Sequence, residues 1–539
     1  MLKIKPLEID RDSILRLAEQ NLMQGNEDAA IRFYQQFLSI KKPHKHKYLA
    51  YYNLGHLNLK RNNLDGIDFL QKAIKEKPDF FQSYLLIGDY LSEIQQFGQA
   101  YDYYKNAIKI DPNSFPANLG IANACMFLRK ENEALPYFKK CLELDPDPEN
   151  GFMLDRVSFA NFLTGNLDTA LDFQLKALSL SESPESFFNL AEIYKKQNRL
   201  EVSISTFRKV IEMKPDWVDA HVNFAHALLM NGEYLEGWKE HEWRRKKKHL
   251  SRDAEFKQPH WDGVSDLAGK TILLYGEQGF GDTLQFVRYL PMFKREFPDT
   301  KIIFECNPPL KTLLSQFDEI SEIYDYFKAP KDLFDYHCSV MSLPHYFKTE
   351  LETIPNQTHS YLRTDAVKVE KWKNKLSEKI KVGLVWQGKT VSEDDQEFYR
   401  VGKRRNIPLE SFKSLFEIEG VQFYSLQKGD NAFDIKRLKL TTKIIDYTEE
   451  FHDFSDTSSF IENLDLVIGV DTGVIHLACA LGKPTWMLSR NDGCWRWMTE
   501  AKFGDKSPWY PTLKIYRQSQ WDGWVDEIER VKLDLTPRG

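Results

Sequence analysis

Two glycine-containing motifs carry the side chains best suited to chemistry. The first is GEQGFGDTLQ, which begins at Gly276, follows a short apolar run and contains the carboxylate of Asp282. Gly279 and Gly281 allow the backbone to turn tightly and to approach a ligand. We expect Asp282 at or near a helix start, where it either caps the helix or acts as a general base.

The second motif, VDTGVIHLA, begins at Val470 and also follows an apolar run. The run ends at Asp471, and a helix is predicted to start at Thr472 or Gly473, where unpaired N–H groups form an anion site. His476 lies one turn further along the same helical face, so a diphosphate here would meet N–H groups, a hydroxyl and an imidazole. The alternative is that Asp471 or Thr472 only caps the helix and His476 is a packed core residue.

Basic side chains follow two further apolar runs. Arg404 and Arg405, in KRRNIP, come after KVGLVWQG and a polar loop, and Lys428 ends VQFYSLQKG. A guanidinium group binds phosphate through two parallel hydrogen bonds, which makes both arginines candidate phosphate ligands and Lys428 a weaker one. An ordinary solvated loop remains the alternative.

Two other nucleotide motifs are excluded by their spacing. A dinucleotide fingerprint needs a third glycine where Leu284 stands. The sequence from Gly263 to Gly269-Lys270-Thr271 resembles a phosphate loop, but it is one residue too long and precedes a strand instead of following it.

The elements that must position these motifs alternate in type. From about Lys270 onward, short apolar runs alternate with amphipathic helical stretches, which predicts parallel sheets with right-handed crossovers. Two such sets in tandem predict two Rossmann-like domains, whose ligands bind at the carboxyl ends of the strands. The predicted strands are TILLYG, KIIFEC, KVGLVWQG, VQFYSLQKG, KIIDYT, LVIGVD and PTWMLS.

The N-terminal half contains a repeat of fixed length. Pro78, Pro112 and Pro146 recur every 34 residues (112−78 and 146−112), and aromatic residues recur at Tyr104, Phe138 and Phe207. This is the tetratricopeptide pattern, in which small residues allow two helices to cross closely and the proline closes the second helix. About six repeats are predicted over residues 11–248. Their groove favours a protein or peptide partner.

Composition narrows the class of protein. The net charge of −6 and the pI near 6.2 argue against a nucleic-acid partner, and the basic run from Arg244 to Lys248 is interpreted as a solvated helix end. The six cysteines form no C-x-x-C pair, and neither a signal peptide nor a membrane span is indicated. A cytoplasmic protein is expected.

Taken together, these segments resemble the bacterial tetratricopeptide proteins with a C-terminal GT-B glycosyltransferase-like domain, similar to the ADP-heptose:lipopolysaccharide heptosyltransferases. The layout also resembles the O-linked N-acetylglucosamine transferases. The segments that carry the resemblance are EGWKEHEWR, LAGKTILLYGEQGFGDTLQFVRYLP, SLP at 342–344, VQFYSLQKG, LDLVIGVDTGVIHLACALGKPTW, CWRWM and SPWYPTLKIYRQ. The predicted fold class is therefore an α-helical solenoid over 1–250, followed by twin Rossmann-like domains over 251–375 and 376–539.

The resemblance implies roles for the motif residues. It makes Asp282 the general base, and it assigns Asp471, Thr472, Gly473 and His476 to the diphosphate of a nucleotide-sugar. It also implies a phosphate-binding cation after the first strand of the second domain. Arg405 matches best and Arg404 next, although a polar insertion, TVSEDDQEFYRVGK, separates both from that strand.

The implied reaction transfers a sugar from a nucleotide diphosphate to a glycan or protein hydroxyl, with inversion. The only D-x-D patterns begin at Asp10 and Asp145 in the repeat half, so a metal clamp on the diphosphate is not expected, nor any cofactor besides the donor. The competing hypothesis is a non-catalytic scaffold, in which the repeats bind a partner and the α/β half is a retained ligand-binding shell. Homo-oligomerisation is left open by the sequence.

Overall fold

The structure is a computed structural model, and it describes residues 10–144, 151–247, 251–356, 360–389 and 396–536. The chain divides into two compact units, Met1–Ile193 and Tyr194–Gly539. The domain limits expected at 250 and 375 stay predictions.

The first unit is helical throughout its described residues. Eleven helices begin in it, and the last of them continues into the second unit. Their bounds are α1 Arg11–Met23, α2 Glu27–Ser39, α3 Lys47–Lys60, α4 Asp65–Glu76, α5 Phe81–Glu93, α6 Phe97–Ile110, α7 Phe115–Phe127, α8 Glu131–Leu144, α9 Gly151–Leu163, α10 Leu167–Leu180 and α11 Pro184–Lys196.

Tyr104 shows why the repeat needs small residues at fixed positions. Its buried ring lies against Gly88 and Gly120, where an added β-carbon would stand 2.7 Å and 2.5 Å from ring atoms. Neighbouring helices can therefore approach closely only because these positions lack a side chain. The large aromatic fills the space between them, as the repeat pattern predicts.

The number of repeats was underestimated from the sequence. Fourteen α-helices precede the first strand among the described residues, which corresponds to seven helix pairs rather than about six. One irregular pair has Gln174 at the aromatic position. This buried side chain donates to Asp155 Oδ1 at 2.6 Å and to the carbonyl of Ser186 at 3.1 Å, so hydrogen bonds replace the apolar contact. The repeat is therefore difficult to recognise in the sequence.

The second unit starts with three more helices and continues as two α/β sets. The helices are α12 Leu200–Met213, α13 Val218–Asn231 and α14 Tyr234–His241. The first set is β1 Thr271–Tyr275, α15 Phe280–Phe286, α16 Leu290–Glu296, β2 Lys301–Cys306, α17 Lys311–Leu314, β3 Ile320–Asp325, β4 Tyr336–Ser339, α18 Leu343–Tyr346 and α19 Ala366–Lys373.

The second set contains six strands. Its elements are β5 Ile380–Val385, α20 Gln396–Arg405, β6 Val421–Ser425, α21 Asp434–Arg437, β7 Ile444–Ile445, α22 Phe454–Glu462, β8 Leu466–Val470, α23 Gly473–Ala480, β9 Thr485–Ser489, α24 Glu500–Phe503, β10 Leu513–Arg517 and α25 Val525–Leu535.

Both sheets are parallel, as the alternation of strands and helices predicts. Their strand orders are β3-β2-β1-β4 and β10-β9-β8-β5-β6-β7. Three strands escaped the sequence prediction: β3, β4 and β10. β3 is only half-buried, β4 has four residues, and β10 alternates apolar with basic residues, so none forms a long apolar run.

The last repeat helix shares the core of the α/β sets. Trp238 of α14 is buried among the rings of Phe286, Trp495 and Trp509, and its indole N–H donates to the carbonyl of Thr349 at 3.0 Å. The sequence interpretation of the basic run after α14 was wrong for one residue. Arg244 is 1% exposed and paired with acidic side chains, because it faces this core and not solvent.

Candidate functional site

The two glycine motifs meet at a helix–helix contact. Helix α15 follows β1 of the first sheet, and helix α23 follows β8 of the second. A β-carbon added to Gly281 of α15 would stand 2.5 Å from Cδ2 of His476, and one added to Gly473 would stand 3.1 Å from Cβ of Phe280. The glycines therefore allow backbone-close packing, and this packing brings Asp282 near the start of α23.

Asp282 is the third residue of α15, close to the helix start as predicted. Its Oδ2 accepts from the backbone N–H of Gly279 at 2.8 Å, so the side chain does cap the helix. Its Oδ1 forms an ion pair with the guanidinium of Arg496. The N–H of Gly279 therefore already has a hydrogen-bond partner within the protein. Gly279, Gly281 and Asp282 all lie at the start of α15.

A single 3₁₀ turn, Trp495–Trp497, holds the acidic residue of each motif. Arg496 binds Asp282 and also donates to Oε1 of Gln285 at 2.8 Å. The next residue, Trp497, donates its indole N–H to Oδ2 of Asp471 at 2.8 Å. Two adjacent side chains therefore fix two carboxylates that come from different sheets.

The start of α23 keeps free hydrogen-bonding capacity. Thr472 is the N-cap residue, yet its side chain makes no capping bond, and its buried Oγ1 has no hydrogen-bond partner among the described residues. The first N–H groups of an α-helix also lack partners within the helix. Asp471 is engaged by Trp497 and does not cap the helix. These groups can receive an anion at the carboxyl end of β8.

His476 is a buried histidine with a defined hydrogen bond. Its Nδ1 lies 2.9 Å from the hydroxyl of Tyr510, and its Nε2 lies 3.9 Å from Oδ1 of Asp471. Burial lowers the pKa of His476 to about 4, although Asp471 opposes this shift. The ring is therefore neutral near pH 7, and its main contact to the first motif is the packing against Gly281.

The cations after β5 differ in their surroundings. Arg404 donates to Oδ2 of Asp492 at 2.8 Å and stacks on Trp521 at 3.4 Å. Arg405 lies over Gly388, where any β-carbon would clash with its guanidinium at 2.3 Å, and it donates to the carbonyl of Lys389 at 3.1 Å. No carboxylate within the described residues lies at ion-pair distance from Arg405.

Asp492, in the loop after β9, collects three cations. Lys196, Arg404 and Arg490 all form ion pairs with this carboxylate, which is 1% exposed. Burial alone would raise the pKa of Asp492, but the three positive charges together hold it well below its usual range. Arg404 therefore stabilises the loop after β9, whereas Arg405 has a guanidinium that a ligand can use.

The strand order explains which segments share one edge. β9, β8, β5 and β6 are neighbours in the second sheet, so the residues after them lie side by side at the carboxyl ends. Lys428, after β6, is exposed and donates to the carbonyl of Phe451. Lys428 therefore lies two strands away from Asp471. Gly388 and Arg405 lie at β5, the strand between them.

Sequence reasoning missed Arg496, Trp497, Arg490 and Asp492. All four follow β9, a strand that was predicted, at the same sheet edge as the D-T-G motif. The sequence did contain a signal for them. Ligands of parallel sheets bind at the carboxyl ends of the strands, so the charged residues Arg490 and Asp492 after β9, and Arg496 between two tryptophans, were candidates.

Comparison with known proteins agrees with both halves of this description. Tetratricopeptide repeat models match residues 12–40, 81–114, 115–148 and 184–216. A model of glycosyltransferase family 9 (heptosyltransferase) matches residues 453–490, which contain α22, β8, the D-T-G motif and β9. The chain therefore carries tetratricopeptide repeats and a glycosyltransferase family 9 segment.

A curated relative covers a longer stretch. The chain is 26% identical over 349 residues to Protein FlbA of Caulobacter vibrioides, a match over 59% of this chain and 55% of FlbA. The chain thus spans about half the length of that relative.

Among solved structures, the chain is similar to YrrB, described as a TPR protein with an unusual peptide-binding site, at 20% identity and a TM-score of 0.29 over 33% of this chain and 92% of YrrB. It is also similar to the MamA protein, at 22% identity and a TM-score of 0.29 over 34% of this chain and 97% of MamA.

Two general features accompany the site. Over the described part of the chain, every helix is too short or too polar to cross a lipid bilayer. No disulfide bond joins the six cysteines, all of which lie in the described residues, and five of them are buried.

Proposed function

We propose that this protein is a glycosyltransferase that moves a sugar from a nucleotide-diphosphate donor to an acceptor hydroxyl. One observation carries the proposal: the turn Trp495–Trp497 binds Asp282 of the first motif and Asp471 of the family 9 segment through neighbouring side chains. A candidate base and a candidate diphosphate site are thereby held in one place.

In the proposed reaction, Asp282 is the general base. Each of its carboxylate oxygens has one partner in the protein, and each oxygen keeps a second lone pair that can accept from a hydroxyl. The acceptor oxygen attacks the anomeric carbon while its proton passes to Asp282. The bond from that carbon to the diphosphate breaks, the electron pair leaves with the diphosphate, and a single displacement inverts the anomeric centre.

The leaving diphosphate gains negative charge, and three groups at the second sheet are suited to stabilise it. These are the N–H groups at the start of α23, the unpartnered hydroxyl of Thr472 and the guanidinium of Arg405. These groups are dipoles and one cation, and they would stabilise the charge of the diphosphate without requiring a metal ion. Arg496 acts as a positioning residue that orients Asp282.

We further propose that the helical repeats bind a protein or peptide and thereby select the acceptor. The matches to tetratricopeptide models support an interaction role for this part of the chain. The acceptor is then a hydroxyl of a polypeptide or of a glycan carried by one.

A scaffold that binds a nucleotide-sugar without turning it over is the second candidate. It is favoured by one observation: both oxygens of Asp282 are already engaged, one by Arg496 and one by the N–H of Gly279. Because Asp282 also caps α15, it can act as the base only if the second lone pair of a carboxylate oxygen is free to accept the proton of the acceptor hydroxyl.

A donor panel separates these candidates. The purified full chain is incubated with ADP-, GDP-, UDP- and dTDP-sugars, with and without cell lysate as acceptor, and thermal stability and free nucleoside diphosphate are measured. A donor that stabilises the protein and releases nucleoside diphosphate with lysate supports the enzyme. Stabilisation without release supports the binding scaffold, and neither effect with any donor overturns the proposed function.

A further inference from the structure

A second cluster of chemically capable side chains lies at the edge of the first sheet. Asp253, His260 and His337 each direct one potential ligand atom to a common point, and these atoms all lie within 4.8 Å of one another. Asp253 and His260 belong to the segment that leads from the last repeat to β1. His337 lies on the edge strand β4.

Each of the three side chains has an atom that lacks a hydrogen-bond partner among the described residues. These atoms are Oδ1 of Asp253, Nε2 of His260 and Nδ1 of His337, and all are buried. A buried polar atom without a partner costs about 1–3 kcal/mol, so three at one point call for a common partner. His337 is 1% exposed, so bulk water cannot form the missing hydrogen bond with its ring.

The hydrogen bonds around the cluster prepare it for a cation. Nδ1 of His260 lies 2.7 Å from the carbonyl of Trp261, and a carbonyl only accepts, so Nδ1 carries the proton and Nε2 has the lone pair. Arg245 donates twice to Oδ2 of Asp253, at 2.9 Å and 2.6 Å, and leaves Oδ1 free. Oδ1 of Asp253 and Nε2 of His260 are therefore available as acceptors, and Nδ1 of His337 lies within 4.8 Å of both.

We propose that Asp253, His260 and His337 bind one zinc ion. Two imidazole nitrogens and one carboxylate oxygen are a ligand set that binds zinc, whereas magnesium and calcium favour oxygen alone. Bonds of about 2.0–2.2 Å place the ligands of a tetrahedral zinc roughly 3.4 Å apart, so ligand atoms that now lie within 4.8 Å of one another would move closer by up to about 1.4 Å. The three side chains supply three of the four ligands of a tetrahedral zinc, and a water molecule would supply the fourth.

The cluster lies where the connecting segment meets the edge of the first sheet. The connecting segment already joins the sheet edge through a parallel bridge between His260 and His337, with Trp261 N–H donating to the carbonyl of His337 at 2.9 Å. A zinc ion would fasten the same two segments through their side chains. The cluster contains neither Asp282 nor any group assigned to the diphosphate, so it is independent of the proposed transfer.

The test is zinc binding by the full chain after removal of metal with a chelator. Calorimetric titration with Zn²⁺ gives the stoichiometry, and Co²⁺ gives the visible absorption bands of a nitrogen- and oxygen-ligated ion. We expect one ion per chain and a higher melting temperature with zinc. His337→Gln should weaken zinc binding by at least about 10- to 100-fold, because loss of a direct ligand costs no less than loss of a residue that only orients a ligand.

His345→Gln is the matched control, since His345 is a nearby, partly buried histidine outside the cluster. It should bind zinc as the unaltered chain does. If the unaltered chain binds no zinc, the three atoms share an ordered water and the proposal is overturned. Equal zinc affinity of the His337 and His345 variants overturns it as well. If His337→Gln does not fold, the titration of the unaltered chain and its Co²⁺ spectrum still decide.

Discussion

The imidazole of His476 lies against the α-carbon of Gly281, so closely that a β-carbon at position 281 would stand 2.5 Å from Cδ2 of the ring. His476 is buried and bonded to the hydroxyl of Tyr510, so the ring has little room to move aside. Because Gly281 follows the first strand of one sheet and His476 the fourth strand of the other, this contact fixes the distance between the two motifs.

Gly281→Ala should therefore separate the motifs or displace His476. Over-packing of a buried contact costs about 1–3 kcal/mol of unfolding free energy, and we expect that loss together with weaker nucleotide-sugar binding. Denaturant unfolding and donor titration measure both effects. Gly98→Ala is the control: its added carbon meets no atom within 4 Å, so this variant should be as stable as the parent or slightly more stable.

The ion pair between Arg496 and Asp282 should be strongly coupled. Both side chains are largely shielded, at 9% and 17% exposure, so a double-mutant cycle with Arg496→Gln and Asp282→Asn should give a coupling energy of about 1–3 kcal/mol. Denaturant unfolding of the four proteins provides it. The exposed pair Lys301–Glu322 serves as control and should show no measurable coupling, since solvent screens it. Equal couplings for the two pairs would refute a special role for Arg496.

Arg404 and Arg405 should respond differently to the same substitution. Arg405→Gln should weaken binding of a nucleoside diphosphate by about tenfold or more with little change in stability, because its guanidinium has no carboxylate partner among the described residues. Arg404→Gln should instead lower the unfolding free energy by about 1–3 kcal/mol, because it removes the bond to Asp492 and the stack on Trp521. Calorimetry and denaturant unfolding separate these effects. If Arg404→Gln instead weakened binding of the nucleoside diphosphate and Arg405→Gln lowered the unfolding free energy, the roles assigned to the two arginines would be exchanged.

His476 should make the protein sensitive to acid. Burial lowers its pKa from 6.5 to about 4, with Arg496 and Arg288 adding to the shift and Asp471 and Asp282 opposing it. Between these two pKa values the unfolded chain binds the proton and the folded chain does not, so the unfolding free energy falls as the pH falls from 6.5 to 4. The share of His476 is roughly 2–3 kcal/mol at pH 4.5.

His476→Gln should reduce the loss of unfolding free energy between pH 7.5 and pH 4.5 by that amount. Denaturant unfolding at both pH values measures it. His452→Gln, at an exposed histidine, is the matched control for the loss of an imidazole at the surface. An unchanged pH dependence in the His476 variant would show that its ring is protonated within the folded protein.

The sequence predicted the architecture well because its signals are local. The 34-residue spacing of Pro78, Pro112 and Pro146 depends only on neighbouring helices, and the apolar runs of both sheets are continuous. The strand β10 was missed because it alternates apolar and basic residues, and the repeat with Gln174 was obscured because a hydrogen-bonded side chain took the place of a ring.

The contacts of the site were less accessible to prediction. The positions of Asp282 and Thr472 at helix starts follow from the local pattern, and the structure agrees with them. The pairing of Asp282 with Arg496 joins residues 214 positions apart, and no local signal encodes it. In the same way, only the folded chain shows that Arg404 faces Asp492 while Arg405 does not.

The assignment of Asp282 as the general base is the central claim, and Asp282→Asn tests it most directly. Once a donor has been identified, turnover and donor affinity are measured for this variant and for Asp318→Asn, a control at an exposed carboxylate of the same unit. We expect turnover of Asp282→Asn to fall by a factor of about 10²–10⁴ with donor affinity within a few-fold of the parent, and Asp318→Asn to match the parent. Full turnover by Asp282→Asn would contradict the assignment and leave Asp282 as the cap of α15.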